Sequence, residues 1–247
     1  MAFTEQERAR LAERAAEIIA RYPKPRSALL PLLHLVQATE GFVSTDGIKF
    51  CADQLGLSEA DVTGVVSFYT MYKRHPVGEY HVGVCTNTLC AIMGGDTIHA
   101  ELRDHLGVEG NHPTADGKVS LERVECNAAC DYAPVMMVNW EFFDNMTPES
   151  AKDLVDGLRA GADIAPARGA SRLVTWREAS MILAGYPDDQ ATTGHTAGPP
   201  TLAGVRIAKD NGWAPDANGT ARSASGDNAQ SAASNTARSA SSGRERQ

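Results

Sequence analysis

The stretch from Tyr80 to Gly107, "YHVGVCTNTLCAIMGGDTIHAELRDHLG", is where the pattern of the chain changes. "YHVGVC" is short and β-rich, whereas "DTIHAELRDHLG" has helical spacing with Gly107 as its stop. A strand that ends on a cysteine and leads through a loop into a helix starts an α/β unit. Everything before it reads differently. Thr4 with Glu7 makes a capping box, and Leu11, Ala15, Ile18, Ile19 and Tyr22 then fall on one helical face until Pro23 and Pro25. Ser27 is placed to cap a second helix, "LLPLLHLVQATEG", ending at Gly41, and Ser58 a further one with Val62, Val65, Val66 and Tyr69 on one face. "KRHPVGEY" breaks helical continuity and is the expected linker.

After Gly107, "VSLERVEC" and "APVMMVNW" read as two more strands, and Thr147, Pro148 and Glu149 open a last helix in cap, first-turn proline and acidic order. The expected class is α+β: a helical bundle over 1–75, then an α/β domain over 76–162. A short helical extension over 163–186 and a mostly disordered tail over 187–247 complete it. In the extension, "TWREASMILAGY" can start from a Thr175–Glu178 box, and its apolar face is expected to dock on a neighbouring subunit. The last thirty residues are Ser, Ala, Asn and Gly without an aromatic and cannot offset the entropy of ordering.

Composition excludes several function classes. The formal net charge of −8 argues against a nucleic-acid surface, which would want clustered Lys and Arg. No apolar run approaches the eighteen or so residues of a membrane helix, and the N-terminus carries neither a signal core nor an acid-poor presequence. The expectation is a cytoplasmic protein without a membrane span. There is no G-x-G-x-x-G loop to cradle the phosphates of NADH on this chain.

Five cysteines in such a chain read as metal ligands sooner than disulfides. Cys51 stands alone in a helical stretch and reads as a buried apolar thiol. The other four are paired as Cys85-x4-Cys90 and Cys126-x3-Cys130, each pair where a strand ends in a loop. Strands ending side by side would gather all four into one thiolate pocket. Four thiolates suit zinc or an iron–sulfur centre. The loose spacing favours a [2Fe–2S] cluster, with a structural zinc site and unligated thiols as the other readings. None of His81, His99 or His112 stands beside a cysteine as a Rieske centre requires, and neither pair has the two-residue spacing of a thiol-exchange motif.

The two pairs, thirty-five residues apart, with Ala133-Pro134 after the second and "SFYTMY" at Ser67–Tyr72, resemble the 24 kDa subunits of respiratory NADH dehydrogenase, the NADH-quinone oxidoreductase also called complex I. The resemblance covers roughly residues 5–165. It implies a thioredoxin-like [2Fe–2S] domain in which Cys85 and Cys90 bind one iron, and Cys126 and Cys130 the other. It also implies that FMN and NADH sit on a partner subunit, with further complex I subunits around it, peripheral to the cytoplasmic face of the bacterial inner membrane. The chain would be an electron-transfer subunit and not a complete catalyst. The same module in a soluble NAD-linked formate dehydrogenase or hydrogenase is the nearest alternative. Three residues depart from the family pattern: Val119 for a usual Phe, and Asn127 and Ala128 for a usual Leu and Gly. If that glycine has positive φ, Ala128 carries some strain or the loop shifts.

Overall fold

Helix α1 (Glu5–Ile19) begins where its capping box says it should, with the Glu7 N–H donating to Thr4 Oγ1 at 3.2 Å and the Thr4 N–H to the Glu7 carboxylate at 2.9 Å. A computed structural model describes residues 3–110, 112–188 and 196–213 of the chain. Leu11, Ala15 and Ile18 are buried on one face of α1, while Tyr22 lies beyond its end and is exposed. A 3-10 turn at Pro25–Ala28 leads straight into α2 (Leu29–Glu40), so Ser27 does not cap it and no side chain does. The turn itself supplies the carbonyls and N–H groups of the entry. Helix α2 buries residues on every side, which makes it the axis of the N-terminal half. Against it lie α1 and α3 (Thr45–Leu55, capped by Ser44), and α4 (Glu59–Phe68, capped by Ser58) packs on α3.

Cys51 on α3 is fully buried among apolar side chains, as expected, and burial pushes its thiol up to about 12.

Beyond the linker the chain builds a four-stranded sheet in the order β2-β1-β3-β4. Strands β1 (Tyr80–Cys85) and β2 (Val119–Val124) are parallel, β3 (Met136–Val138) runs antiparallel to β1, and β4 (Glu141–Phe143) antiparallel to β3. Two elements here were not expected from the sequence. One is β4, reached through a two-residue turn whose Asn139 and Trp140 both have positive φ (49° and 76°), the conformation that tight hairpins favour. The other is a five-residue helix, α5 (Thr88–Ile92), which contains Cys90 and lies between β1 and α6 (Gly95–Leu106). Helices α6 and α7 (Pro148–Ala160, capped by Thr147) cover the sheet face formed by Val82, Val84, Val119 and Leu121. By the two-residue alternation of a strand, His81 and Cys85 on β1 and Ser120, Glu122 and Val124 on β2 point to the opposite face.

Helix α8 (Trp176–Leu183) corrects the expectation that its apolar face docks on a neighbouring subunit. It packs on α2 of its own chain. Trp176 is buried, and its indole Nε1–H donates to Gly41 O at 2.7 Å. The Arg177 guanidinium donates to the carbonyls of Ala38, Thr39 and Glu40, closing the C-terminal end of α2 where helix carbonyls lack partners. Sequence patterning sees an amphipathic helix but not the distant groove it fills.

The chain separates at about residue 196 into a large unit and a smaller C-terminal one. The expected tail over 187–247 lies mostly outside the described residues, as do the last thirty. Within it, residues Ala203–Asp210 form helix α9, with Val205 and Ile207 exposed.

A candidate metal centre at one end of the sheet

Because β1 and β2 are parallel neighbours with Cys85 opposite Val124, the loops that leave them emerge at the same end of the sheet. Cys85 is the last residue of β1, and its N–H is held by Val135 O at 3.1 Å. The chain then turns into α5, which carries Cys90 inward, and comes back through Gly94 and Gly95. At Gly95 a Cβ would lie 2.5 Å from the Cys85 carbonyl oxygen and 2.9 Å from that of Cys90. Only a glycine lets this loop close on itself.

The second loop leaves β2 at Val124. Cys126 and Cys130 bring their sulfurs to 3.6 Å from each other, and a 3-10 turn at Cys130–Tyr132 ends the loop. Ala128, between them, has φ of 56°, so the strain anticipated at this non-glycine position is present. In that conformation its N–H donates to Cys126 Sγ at 3.4 Å. The two loops touch: Cys85 and Cys90 share a buried cluster with Ala129, Ala133 and Val135. The first pair is buried and the second exposed.

The electrostatics follow from this crowding. Burial, above all, pushes the Cys90 thiol up to about 11; the Val135 backbone opposes this, and Cys85 and Cys130 reinforce it. Cys130 is raised chiefly by Cys126 beside it, with Cys85 adding repulsion. Four thiolates would repel one another here, and cations bridging them would remove that penalty. Among the described residues, no group of three or more His, Cys, Asp or Glu side chains gathers about a single point suited to one metal ion. The arrangement is two pairs. Together with a backbone N–H already on sulfur, this donor set fits a thiolate-ligated binuclear group.

His81, set aside as a ligand in the sequence, makes its contacts away from the thiols. His81 is buried at the other end of the same sheet face, its Nδ1 on the Ser120 hydroxyl (3.0 Å) and its Nε2 on Glu122 (2.7 Å). Trp140 and Trp176 flank its ring. Glu122 also pairs with Lys73; burial alone would raise its carboxyl, but the hydrogen bonds from His81 and Lys73 outweigh burial and hold it at about 2. No local motif announces this network, because its members come from positions 73, 81, 120, 122, 140 and 176. A second brace also escaped the sequence. The Arg168 guanidinium lies over the rings of Tyr132 (5.1 Å) and Phe142 (4.0 Å) and pairs with Asp144, steadying the turn that follows Cys130.

Comparison with known proteins agrees with this architecture. The sequence pattern of the thioredoxin-like [2Fe-2S] ferredoxins matches residues 15–159. The E subunit of the NADH-quinone oxidoreductase of Mycobacterium tuberculosis is 60% identical over 204 residues, covering 82% of this chain and 81% of that one. NADH-quinone oxidoreductase subunit 2 of Thermus thermophilus is 37% identical over 148 residues, 59% of this chain and 82% of that one. A crystal structure of an NAD+-reducing [NiFe]-hydrogenase superposes with a TM-score of 0.48 at 16% identity, over 54% of this chain and 23% of that one. The two sequence relatives are components of oxidoreductase complexes, and among the described residues no helix is long and apolar enough to cross a membrane. The chain belongs to the thioredoxin-like [2Fe–2S] ferredoxin family, among the E-type subunits of NADH-quinone oxidoreductase.

Proposed function

We propose that Cys85 and Cys90 bind one iron of a [2Fe–2S] cluster and Cys126 and Cys130 the other, and that this centre exchanges single electrons with the FMN of a partner subunit that oxidises NADH. The observation that carries the reading is the pairing itself. Two thiol pairs leave adjacent parallel strands at one end of a sheet, in a chain whose family is named for such a cluster. When bound, the cluster supplies a one-electron couple. The protein supplies the rest: a buried first pair that limits water, an exposed second pair, and an N–H from Ala128 that stabilises negative charge on Cys126.

We further assign residues 1–75 as a docking domain, 76–162 as the cluster domain and 163–186 as an extension that straps the helical bundle. Phe68 and Tyr69 of the helical half, and Leu89, Ile92 and Met93 beside Cys90, are exposed apolar side chains available to neighbouring subunits of the complex. In this reading the complex holds the chain at the cytoplasmic face of the bacterial inner membrane.

The test uses the protein co-purified with its flavin-carrying partner. Visible absorption that bleaches on adding NADH, with a paramagnetic signal appearing, is the expected result. A colourless protein holding zinc would overturn the cluster. Bleaching by dithionite but never by NADH would overturn the exchange with the flavin.

A further inference from the structure

We infer that Asn127 is a potential-tuning residue, its side-chain amide acting as a hydrogen-bond donor to the sulfur atoms of the centre. The inference rests on the proposal that the four cysteines hold a [2Fe–2S] cluster. Asn127 Nδ2 is sealed from solvent and has no hydrogen-bond partner. Buried amide N–H groups are satisfied almost without exception, so one left open beside a ligand site signals an acceptor that arrives with the ligand. Among the described residues three other side-chain atoms share this condition, on His34, His99 and Trp140. Only that of Asn127 belongs to a segment between paired cysteines.

Two carbonyls of the loop are already engaged. The Ala129 carbonyl already accepts from the Tyr132 N–H at 3.0 Å, and the Cys130 carbonyl from the Ala133 N–H at 3.4 Å. The sulfurs of Cys126 and Cys130 do not accept from it here, so the acceptor we infer is a sulfide that the cluster itself brings. The left-handed backbone at Ala128 and the Arg168 brace on Tyr132 hold the loop in the shape that buries the amide.

The consequence is electrostatic. Accepting one electron adds one negative charge to the cluster and its thiolates, and an N–H dipole aimed at sulfur stabilises that charge more than the oxidised state. A leucine at this position would have no donor to offer. Asn127 therefore raises the reduction potential of this centre above what the same loop would give with a leucine in its place.

The experiment is a redox titration of the iron-loaded full chain, followed by the paramagnetic signal of the reduced centre, in wild type, Asn127→Leu and Asn127→Ala. The expected result is unchanged iron content and a potential more negative by roughly 59 mV, a tenfold weakening of a one-electron reduction. Unchanged potentials with iron retained overturn the inference while leaving the cluster in place. Loss of iron from both variants, with wild type loaded, overturns tuning in favour of a role in holding the loop. Absence of iron from wild type removes the underlying proposal and the inference together.

Discussion

One face of β1 and β2 carries two arrangements of opposite character. At its lower end His81, Ser120, Glu122 and Lys73 satisfy one another under Trp140 and Trp176. At its upper end, where β1 finishes at Cys85, the satisfied bonds run out: thiols crowd, Ala128 is held left-handed and the Asn127 amide has no partner. The contrast shows how the fold divides its work. The polar network and α8 clamp the helical half onto the sheet, while the two cysteine loops at the far end hold strained and under-satisfied conformations.

Breaking the clamp and leaving the thiols alone separates the two roles. Trp176→Ala removes the largest fully buried side chain among the described residues and its hydrogen bond to Gly41, and is expected to cost about 3–5 kcal/mol of stability. Chemical denaturation reads the loss, and the iron content of the fraction that still folds should stay at the wild-type level. A drop in iron that tracked the loss of stability would mean that the two ends are not separable.

The reverse experiment strains the thiol end. Gly95→Ala forces a Cβ against the carbonyl oxygens of Cys85 and Cys90, backbone atoms that cannot swing aside. A cost of about 1–3 kcal/mol is expected, of the size found for overpacking a core. Iron loading should fall with it, because the first loop carries both of those cysteines. The smallest effect belongs to Ala128→Gly. Removing the Cβ relieves roughly 1 kcal/mol of left-handed strain, and the greater freedom of glycine in the unfolded chain cancels much of it. Thermal unfolding should shift by no more than a few degrees, with iron retained.

How far the sequence foretold this molecule depended on the range of the interaction. Capping boxes at Thr4 and Thr175, caps at Ser58 and Thr147 and stops at Gly41 and Gly107 are signals carried within four residues, and the helices they bound stand where expected. Cysteine spacing marked the loops at strand ends, because a pair of cysteines three or four residues apart is also a local pattern. Strand β4 is only three residues long and follows a turn built from Asn139 and Trp140, without the glycine that usually announces positive φ. Helix α5 has five residues, too few to show a period. The seat of α8 on α2 and the His81 network join residues tens to more than a hundred positions apart, and nothing near Trp176 or His81 in the chain encodes their partners. The exposed second pair against the buried first is likewise a property of packing, not of spacing.

The claim on which all this turns is that the four thiols act as one ligand set. It is tested most directly by counting iron and acid-labile sulfide per chain in wild type, Cys130→Ala and Cys51→Ala. The account predicts about two of each in wild type and Cys51→Ala, and loss of the cluster from Cys130→Ala. Full iron and an unaltered spectrum in Cys130→Ala would contradict it.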